Sequence, residues 1–184
     1  MHSTRPSPTE YAPYFERYVS LVAEKDFVSF FSQQPSELRA RLGQLSPERA
    51  GFRYAPGKWS IREVVGHIID AERVFAYRAL CIARGEATSL PSFDENAYAA
   101  LAEHEHCSLL ELLDELALAR QSHVAMFRHL SQAAWERAGV VNQNPMSARA
   151  LAYIMAGHAH HHARILEERY LMDGAFTRRS VQFT

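Results

Sequence analysis

The chain contains 184 residues, of which 47% are hydrophobic and 22% are charged, as is usual for a globular protein with one buried core. Its 20 Lys and Arg residues balance 21 Asp and Glu residues, so the net charge of −1 gives no electrostatic basis for binding nucleic acid or an anionic membrane. Two cysteines, Cys81 and Cys107, are too few for a disulfide framework, and no stretch approaches the roughly 18 apolar residues of a membrane span. The N-terminus lacks the apolar run of a signal peptide, so we expect a cytoplasmic protein with a single domain over residues 1–184.

The first part of the chain predicts a loose end followed by two helical runs. Residues 1–8 contain serine, threonine and two prolines and are expected to be loosely held. Thr9 is a suitable cap for a first helix with an aromatic apolar side. Asp26 begins a second helical run, which we expect Pro35 to interrupt, with Pro35 at the first turn of a new helix.

Ser60 and Glu63 form a capping-box pattern and predict the start of a long amphipathic helix. This helix should continue to about Arg84 and end at Gly85. Gly66 lies inside it, where a missing side chain allows another backbone to approach closely.

The second half of the chain predicts two more long helices. A short helix is expected around residues 95–102, and Ser108 with Glu111 predicts the start of the next long helix. Residues 132–145 are expected to be a connection, and the last helix should run from about Ser147 to Met172, before a tail at residues 175–184. No strand with period-two alternation is evident. The sequence therefore predicts an all-α four-helix bundle, with connections long enough for a crossover.

The last helix places two histidines on its apolar face. His158 and His162 are four residues apart and project from the same side of the helix, among apolar residues. Because two unpaired buried imidazoles are costly, a shared metal ion is the favoured interpretation. His67, in the middle of the Ser60 helix, is the best third ligand. Zinc is expected from its availability, while nickel, iron and manganese are compatible with the same ligands.

The other histidines are expected to be ordinary. His104 and His106 are assigned to a solvated loop, and His123 and His129 to the surface or margin of their helix. Trp59 and Phe93 are alternatives for lining an entrance or for packing at the ends of elements.

Three segments resemble the DinB-like (YfiT-like) superfamily of metal-dependent proteins. They are Lys58 to His67 with the residues that follow it, Leu90 to Asn96, and Gly157 to His162. The resemblance implies a four-helix bundle with a crossover, often dimeric, and a metal held by His67, His158 and His162. It also implies that some members are S-transferases or isomerases that use a low-molecular-weight thiol.

Two further residues are candidates for catalysis. Arg78, on the flank of the helix that carries His67, is placed either to hold a substrate carboxylate or to pair with an acidic side chain. Glu72 lies inside the apolar stripe, where it is expected to pair with an arginine such as Arg164 or Arg169, with a role as general base as the alternative.

The favoured function is a metal-dependent transferase that uses a low-molecular-weight thiol and a small-molecule substrate. A metal-dependent hydrolase would use the same ion with water as the nucleophile. A metal-binding stress-response module without catalysis is the third alternative. A homodimer is expected from apolar side chains left over on the first and third helices.

Overall fold

The computed structural model describes residues 4–23 and 27–171. Its α-helices are α1 (Glu16–Val19), α2 (Phe27–Leu42), α3 (Pro47–Ala50), α4 (Ile61–Ala83), α5 (Glu95–Leu101), α6 (Leu109–Arg128), α7 (Gln132–Glu136) and α8 (Ala148–Ile165). Two short strands, β1 (Ala138–Val141) and β2 (Asn144–Ser147), precede α8. Short 3-10 turns cover Pro8–Glu10, Pro13–Phe15 and His104–His106, and α8 continues as a π-helix over Leu166–Leu171.

The four long helices pack as a bundle, which confirms the predicted fold class. Helix α4 packs against α6 and α8, and α2 packs against the same two helices. The consecutive long helices α2 and α4 therefore occupy opposite corners, as do α6 and α8. This order requires connections that cross the bundle, in place of short turns between neighbours.

Two clusters of buried hydrophobic residues show how the helices run. On α4, residues 61–69 belong to one cluster and residues 71–83 belong to the other. Along α8 the two clusters follow each other in the reverse order. Helices α4 and α8 are therefore antiparallel, and α6 follows the direction of α4. Since α4 and α6 are parallel neighbours, the connection over residues 84–108 must run the length of the bundle. His67 and His158 lie where α4 and α8 pass from one cluster to the other.

The predicted helix starts at Ser60 and Ser108 are confirmed. Each serine side chain accepts a hydrogen bond from the backbone three residues later, and Glu63 and Glu111 complete the two capping boxes. The end of α4 is also as predicted, since Gly85 follows it with a φ of 89°. Such positive φ values suit glycine because it lacks a Cβ.

Pro35 does not interrupt the second helical run, contrary to the prediction. Helix α2 passes through Pro35, although proline cannot donate to the carbonyl of Phe31 one turn earlier. The structure supplies another donor, because the guanidinium of Arg120 on α6 donates to that carbonyl. A tertiary contact thus replaces the hydrogen bond that proline removes.

The N-terminal segment differs from the expectation. The predicted first helix is reduced to 3-10 turns and the short α1, because Pro13 interrupts the run and itself starts a turn. Ser7, in place of Thr9, caps the first turn. Thr4 lies in the part expected to be loose, yet its hydroxyl accepts a hydrogen bond from the indole of Trp135. The predicted helix start at Asp26 and the tail at residues 175–184 lie outside the described residues.

Residues 138–147 form a β-hairpin where the sequence predicted only a connection. Strands β1 and β2 pair in antiparallel register from Ala138 opposite Ser147 to Val141 opposite Asn144. The two turn residues, Asn142 and Gln143, have positive φ values of 47° and 64°, as in the tight turns that suit hairpins. With four residues each, the strands are too short to show alternation in the sequence. No helix among the described residues has the length and apolar character to cross a membrane.

Candidate metal centre

The structure brings together the three histidines that the sequence selected. His67 of α4 and His158 and His162 of α8 each offer a ring nitrogen, and these three nitrogens lie within 4.8 Å of one another. The Nε2 atoms of His67 and His158 are 3.0 Å apart. The His162 ring centre lies 4.5 Å from that of His158 and 4.8 Å from that of His67. We call these three residues the triad.

Burial keeps the triad imidazoles neutral. Burial, with a smaller contribution from His104, lowers the pKa of His67 to about 4. Burial and the neighbouring histidines also hold the pKa values of His158 and His162 well below the ordinary value of 6.5. Neutral imidazole is the form that binds divalent metals.

The contacts of the triad fit a metal ion better than a hydrogen-bond network. Two imidazole nitrogens bound to zinc at the usual distances would be about 3.3 Å apart, close to the observed separation of the Nε2 atoms of His67 and His158. His158 Nδ1 lies on the far side of that ring and has no hydrogen-bond partner among the described residues. A hydrogen bond joins only two of the three imidazoles, whereas one ion can bind a nitrogen of each. The three residues therefore suit a divalent ion.

Aromatic side chains and a close backbone approach position the triad. Trp59 lies against His67, with ring centres 4.7 Å apart, and Phe75 and Tyr18 contact His158 edge-on. A Cβ on Gly157 would lie only 2.0 Å from the carbonyl oxygen of Tyr18. Glycine at this position therefore lets the α1 backbone reach α8 beside His158.

One cavity opens beside His158, and we call it the His158 cavity. It has a volume of about 400 Å³. Its walls come from the N-terminal turns, α4, the 84–108 connection and the β-hairpin, and its lining residues are Ala12, Tyr14, Phe15, Tyr18, Phe75, Arg78, Ser92, Phe93, Glu95, Val141, Asn142, Asn144, Met146 and His158. The hairpin, which the sequence did not predict, thus forms part of this cavity. Phe93 also lines the cavity, and lining an entrance was one of the two roles predicted for it.

A second cavity opens beside His162, and we call it the His162 cavity. Its volume is about 270 Å³, and its lining residues are Tyr54, Gly57, Lys58, Trp59, Val64, Asn96, His162, Ile165 and Tyr170. Trp59 lines this cavity while it contacts His67. The phenol of Tyr170 donates a hydrogen bond to the carbonyl of Trp59, which fixes the wall of the cavity. The triad therefore has a member in each of two cavities.

Arg78 lines the His158 cavity, and the predicted bridge to an acidic side chain does not form within residues 4–23 and 27–171. Its Nη2 donates to the carbonyl oxygen of Pro91 at 2.7 Å, and its guanidinium carbon lies 5.4 Å from the ring centre of Phe93. Burial lowers the pKa of Arg78. A catalytic or binding role for Arg78 remains a prediction.

Glu72 is buried beside an arginine as expected, but its partner is not Arg164 or Arg169. Arg120 of α6 binds both carboxylate oxygens of Glu72, and His123 Nδ1 lies 3.4 Å from one of them. Burial by itself raises the pKa of Glu72, but Arg120 and His123 outweigh it and hold the pKa below its ordinary value. The sequence could not select Arg120, because its helix register does not say which arginine faces α4. A role for Glu72 as a general base stays a prediction.

His104 is not a solvated loop residue, and its position explains Gly66. The His104 ring packs over Gly66, where a Cβ would lie 2.2 Å from Nδ1, so a side chain and not a backbone makes the close approach. His104 Nε2 lies 3.9 Å from Asp70 Oδ2. His123 is also buried, contrary to the expectation of a surface or margin position.

Sequence reasoning missed the aromatic residues that surround His158. Tyr18 and Phe75 both contact the His158 ring, and helical periodicity alone does not indicate either contact. Gly157 next to His158 was the available signal, because a glycine inside a helix indicates the close approach of another element.

The fold and the triad define a helical-bundle protein with a three-histidine centre of the kind that holds a divalent metal. The family model of the DinB superfamily matches residues 31–166. The chain belongs to the DinB superfamily, as the resemblance of its three segments implied.

Similar proteins carry names that describe metal dependence. A Bacillus licheniformis protein named "Putative metal-dependent hydrolase" is 27% identical over 152 residues, which cover 79% of this chain and 85% of that protein. The structure is similar to that of YfiT from Bacillus subtilis, described as a probable metal-dependent hydrolase with an unusual four-helix bundle topology. The TM-score is 0.72 at 19% identity, over 89% of this chain and 91% of YfiT.

A third similar protein carries a different activity in its name. The crystal structure of the mycothiol-dependent maleylpyruvate isomerase matches with a TM-score of 0.63 at 13% identity. The match covers 79% of this chain and 61% of the isomerase chain. At this identity the similarity concerns the fold alone.

Proposed function

We propose that the chain is a metal-dependent transferase that joins a small electrophilic molecule to a low-molecular-weight thiol. The observation that carries the proposal is the placement of the triad between two cavities. His158 lines one cavity and His162 lines the other, so two different molecules can reach the same centre. A reaction between two bound small molecules needs such an arrangement, because both must be oriented at one point.

In this proposal His67, His158 and His162 hold a divalent ion, and zinc is the ion we favour. Nickel, iron and manganese remain alternatives because imidazole binds all of them. When bound, the ion supplies a positive charge that lowers the pKa of a thiol or a water, which gives a nucleophile near neutral pH.

The lining residues of the two cavities differ in polarity and suit two different molecules. The His162 cavity has polar and charged groups, including Lys58, Asn96 and Tyr54, and suits the polar body of a small thiol. The His158 cavity has mostly apolar walls and suits the electrophile. Trp59 and Tyr18 pack against the triad histidines and shield them from bulk water.

In the net reaction, the thiol sulfur forms a bond to an electrophilic carbon of the substrate. The bond from that carbon to its leaving group breaks, and the leaving group departs with the electron pair. The thiol proton goes to solvent or to the leaving group, so no oxidant or reductant is needed. The triad histidines are neutral at neutral pH, so each has an unprotonated ring nitrogen and acts as a ligand in this proposal.

A metal-dependent hydrolase is the second candidate, and the names of the relatives favour it. Both the Bacillus licheniformis protein and YfiT are described as hydrolases in guarded terms. In a hydrolase, water would take the place of the thiol, and the His162 cavity would have no required occupant. The two candidates therefore differ in whether product formation depends on a thiol.

The test starts with the metal content of the purified full chain, measured beside His67→Ala, His158→Ala and His162→Ala. The metal-loaded protein is then incubated with 1-chloro-2,4-dinitrobenzene and a panel of thiols that includes cysteine, glutathione, coenzyme A and mycothiol. Loss of free thiol and formation of the thioether are followed by absorbance and mass spectrometry. p-Nitrophenyl acetate without any thiol is the hydrolase assay.

We expect about one ion per chain, lost in each variant while the helical signal persists, and thioether formation that requires both metal and thiol. Ester hydrolysis that needs the metal but no thiol would instead support the hydrolase. Bound metal with neither activity would support the metal-binding module without catalysis. Wild-type protein that takes up no divalent ion would refute all three.

A further inference from the structure

We infer that the His158 cavity selects small molecules that combine an apolar or aromatic body with an anionic group, and that Arg78 binds the anionic group. This inference rests on the proposed function in treating the cavity as the site of the electrophile. It adds a chemical class of substrate and a specificity-determining residue.

Arg78 is a buried cation without an acidic partner among the described residues. It is only 5% exposed, yet no ion pair in that part of the chain includes it. The carbonyl of Pro91 accepts from one of its five N–H groups, and Phe93 lies near the guanidinium plane. A neutral carbonyl and a ring do not compensate for the charge as a carboxylate would.

Arg120 is also buried, and its contacts compensate for its charge. Arg120 is 2% exposed and contacts both carboxylate oxygens of Glu72, the amide oxygen of Gln34 and a backbone carbonyl. Arg149, also largely buried, binds both carboxylate oxygens of Glu10. Arg78 is therefore distinct from both, because the group that would complete its contacts is not on the described chain.

The surroundings of Arg78 define the rest of the ligand. Phe15, Phe75 and Phe93 line the same cavity of about 400 Å³, and His158 stands in its wall. A cavity of this size accepts a small molecule, and aromatic walls favour an apolar or aromatic body. The anion at Arg78 would fix the orientation of that body relative to His158, since charged hydrogen bonds give geometric specificity.

Glu95 is the acidic residue that also lines this cavity. It lies on an exposed face at the start of α5 and does not pair with Arg78. If a rearranged Glu95 side chain paired with Arg78, it would compete with an anionic ligand. Removal of its charge should therefore strengthen the binding of an anion and should not weaken it.

The experiment compares two probes of nearly equal size, phenylacetate and phenylacetamide, by isothermal titration calorimetry with the full chain. Titrations are made with the protein as purified and again after chelation, because a carboxylate could also bind the metal. The variants are Arg78→Met, Arg78→Lys, Glu95→Gln and the control Arg73→Met, which removes an exposed arginine of the same helix. Circular dichroism verifies the fold of each variant.

We expect the wild-type protein to prefer phenylacetate about tenfold or more, with and without metal, since a charge-assisted hydrogen bond typically contributes at least that factor. Arg78→Met should lose the preference, Arg78→Lys should keep part of it, and Arg73→Met should keep all of it. Equal binding of the two probes by the wild type, or binding of neither at millimolar concentration, overturns the inference. A preference that persists in Arg78→Met also overturns it.

The design separates this inference from the proposed function. Probe binding needs neither a thiol nor turnover, so an anion preference that depends on Arg78 stands even if no thioether forms. Thiol transfer without any anion preference would leave the proposed function in place and refute the role of Arg78. If Arg78→Met does not fold, the wild-type comparison and Arg78→Lys decide the outcome.

Discussion

Arg120→Met should destabilise the bundle more than any other replacement of an arginine in the described chain, because Arg120 joins three helices at one buried point. Its guanidinium binds the carboxylate of Glu72 on α4 and, on α2, the amide oxygen of Gln34 at 2.7 Å and the carbonyl of Phe31. Gln34 in turn donates to the carbonyl of Ala156 on α8 at 2.8 Å. All four long helices therefore contribute to one hydrogen-bonded network.

The expected loss in the free energy of unfolding follows from the buried polar groups that Arg120→Met leaves without a partner. Glu72 is fully buried, and loss of its partner leaves an uncompensated charge, which typically costs about 3–5 kcal/mol. The carbonyl of Phe31 loses the donor that replaces the missing N–H of Pro35, and such an unsatisfied buried group costs about 1–3 kcal/mol. We therefore expect a loss of at least about 4 kcal/mol in the free energy of unfolding, close to the whole stability of many domains.

Urea unfolding of chelated protein, followed by circular dichroism, measures this loss without a contribution from bound metal. Arg73→Met, which breaks an exposed pair with Glu115, is the matched control and should cost less than about 1 kcal/mol. The double variant Glu72→Met with Arg120→Met should recover much of the loss, because no buried charge remains. A cost for Arg120→Met no larger than that of the control would refute the reasoning.

Three other predictions concern the packing, the acid stability and the metal centre. Gly157→Ala should lower the free energy of unfolding by about 1–3 kcal/mol, because the new Cβ would clash with the carbonyl oxygen of Tyr18. Thermal unfolding measures this loss, and an unchanged melting temperature would contradict the prediction. The folded pKa of Glu72 is depressed, so its stabilisation is present above its ordinary pKa of 4.5 and is lost as the pH falls through the folded value. Urea midpoints between pH 7 and pH 3 should therefore fall less steeply in Glu72→Gln than in the wild type, and parallel curves would argue against this. Zinc at a hundred times its Kd should stabilise the wild type by about 2.7 kcal/mol and His162→Ala far less, which differential scanning calorimetry with and without chelator can compare.

The sequence predicted helix starts correctly where residues close in sequence specify them. Ser60 with Glu63 and Ser108 with Glu111 begin helices as predicted, because a capping box involves side chains and backbone only three residues apart. Pro35 shows the limit of local reasoning, since its helix is maintained by a donor 85 positions away from it, at Arg120. The hairpin at residues 138–147 was missed because its strands are short and its neighbour, Leu90, lies far away in sequence.

The sequence predicted the metal ligands of the candidate site but not the contacts of the residues around them. His158 and His162 follow from helical spacing, and His67 follows from its position on another amphipathic helix. The partner of Glu72 was assigned to the wrong arginines, because the sequence does not state which face of α6 meets α4. The packing of the His104 ring over Gly66 likewise could not be predicted without the fold.

The sequence by itself determined the helices that follow Ser60 and Ser108, the capping boxes of these helices and the three histidines, because these depend on periodicity and on contacts within one or two turns. Only the tertiary structure decided that α4 and α8 run antiparallel and bring His67 to within 3.0 Å of His158, and that the connection 84–108 and the hairpin enclose Arg78 in an aromatic cavity. The reason is physical. Helical periodicity specifies which side of a helix is buried, whereas the packing of all the helices together selects the partner that side meets.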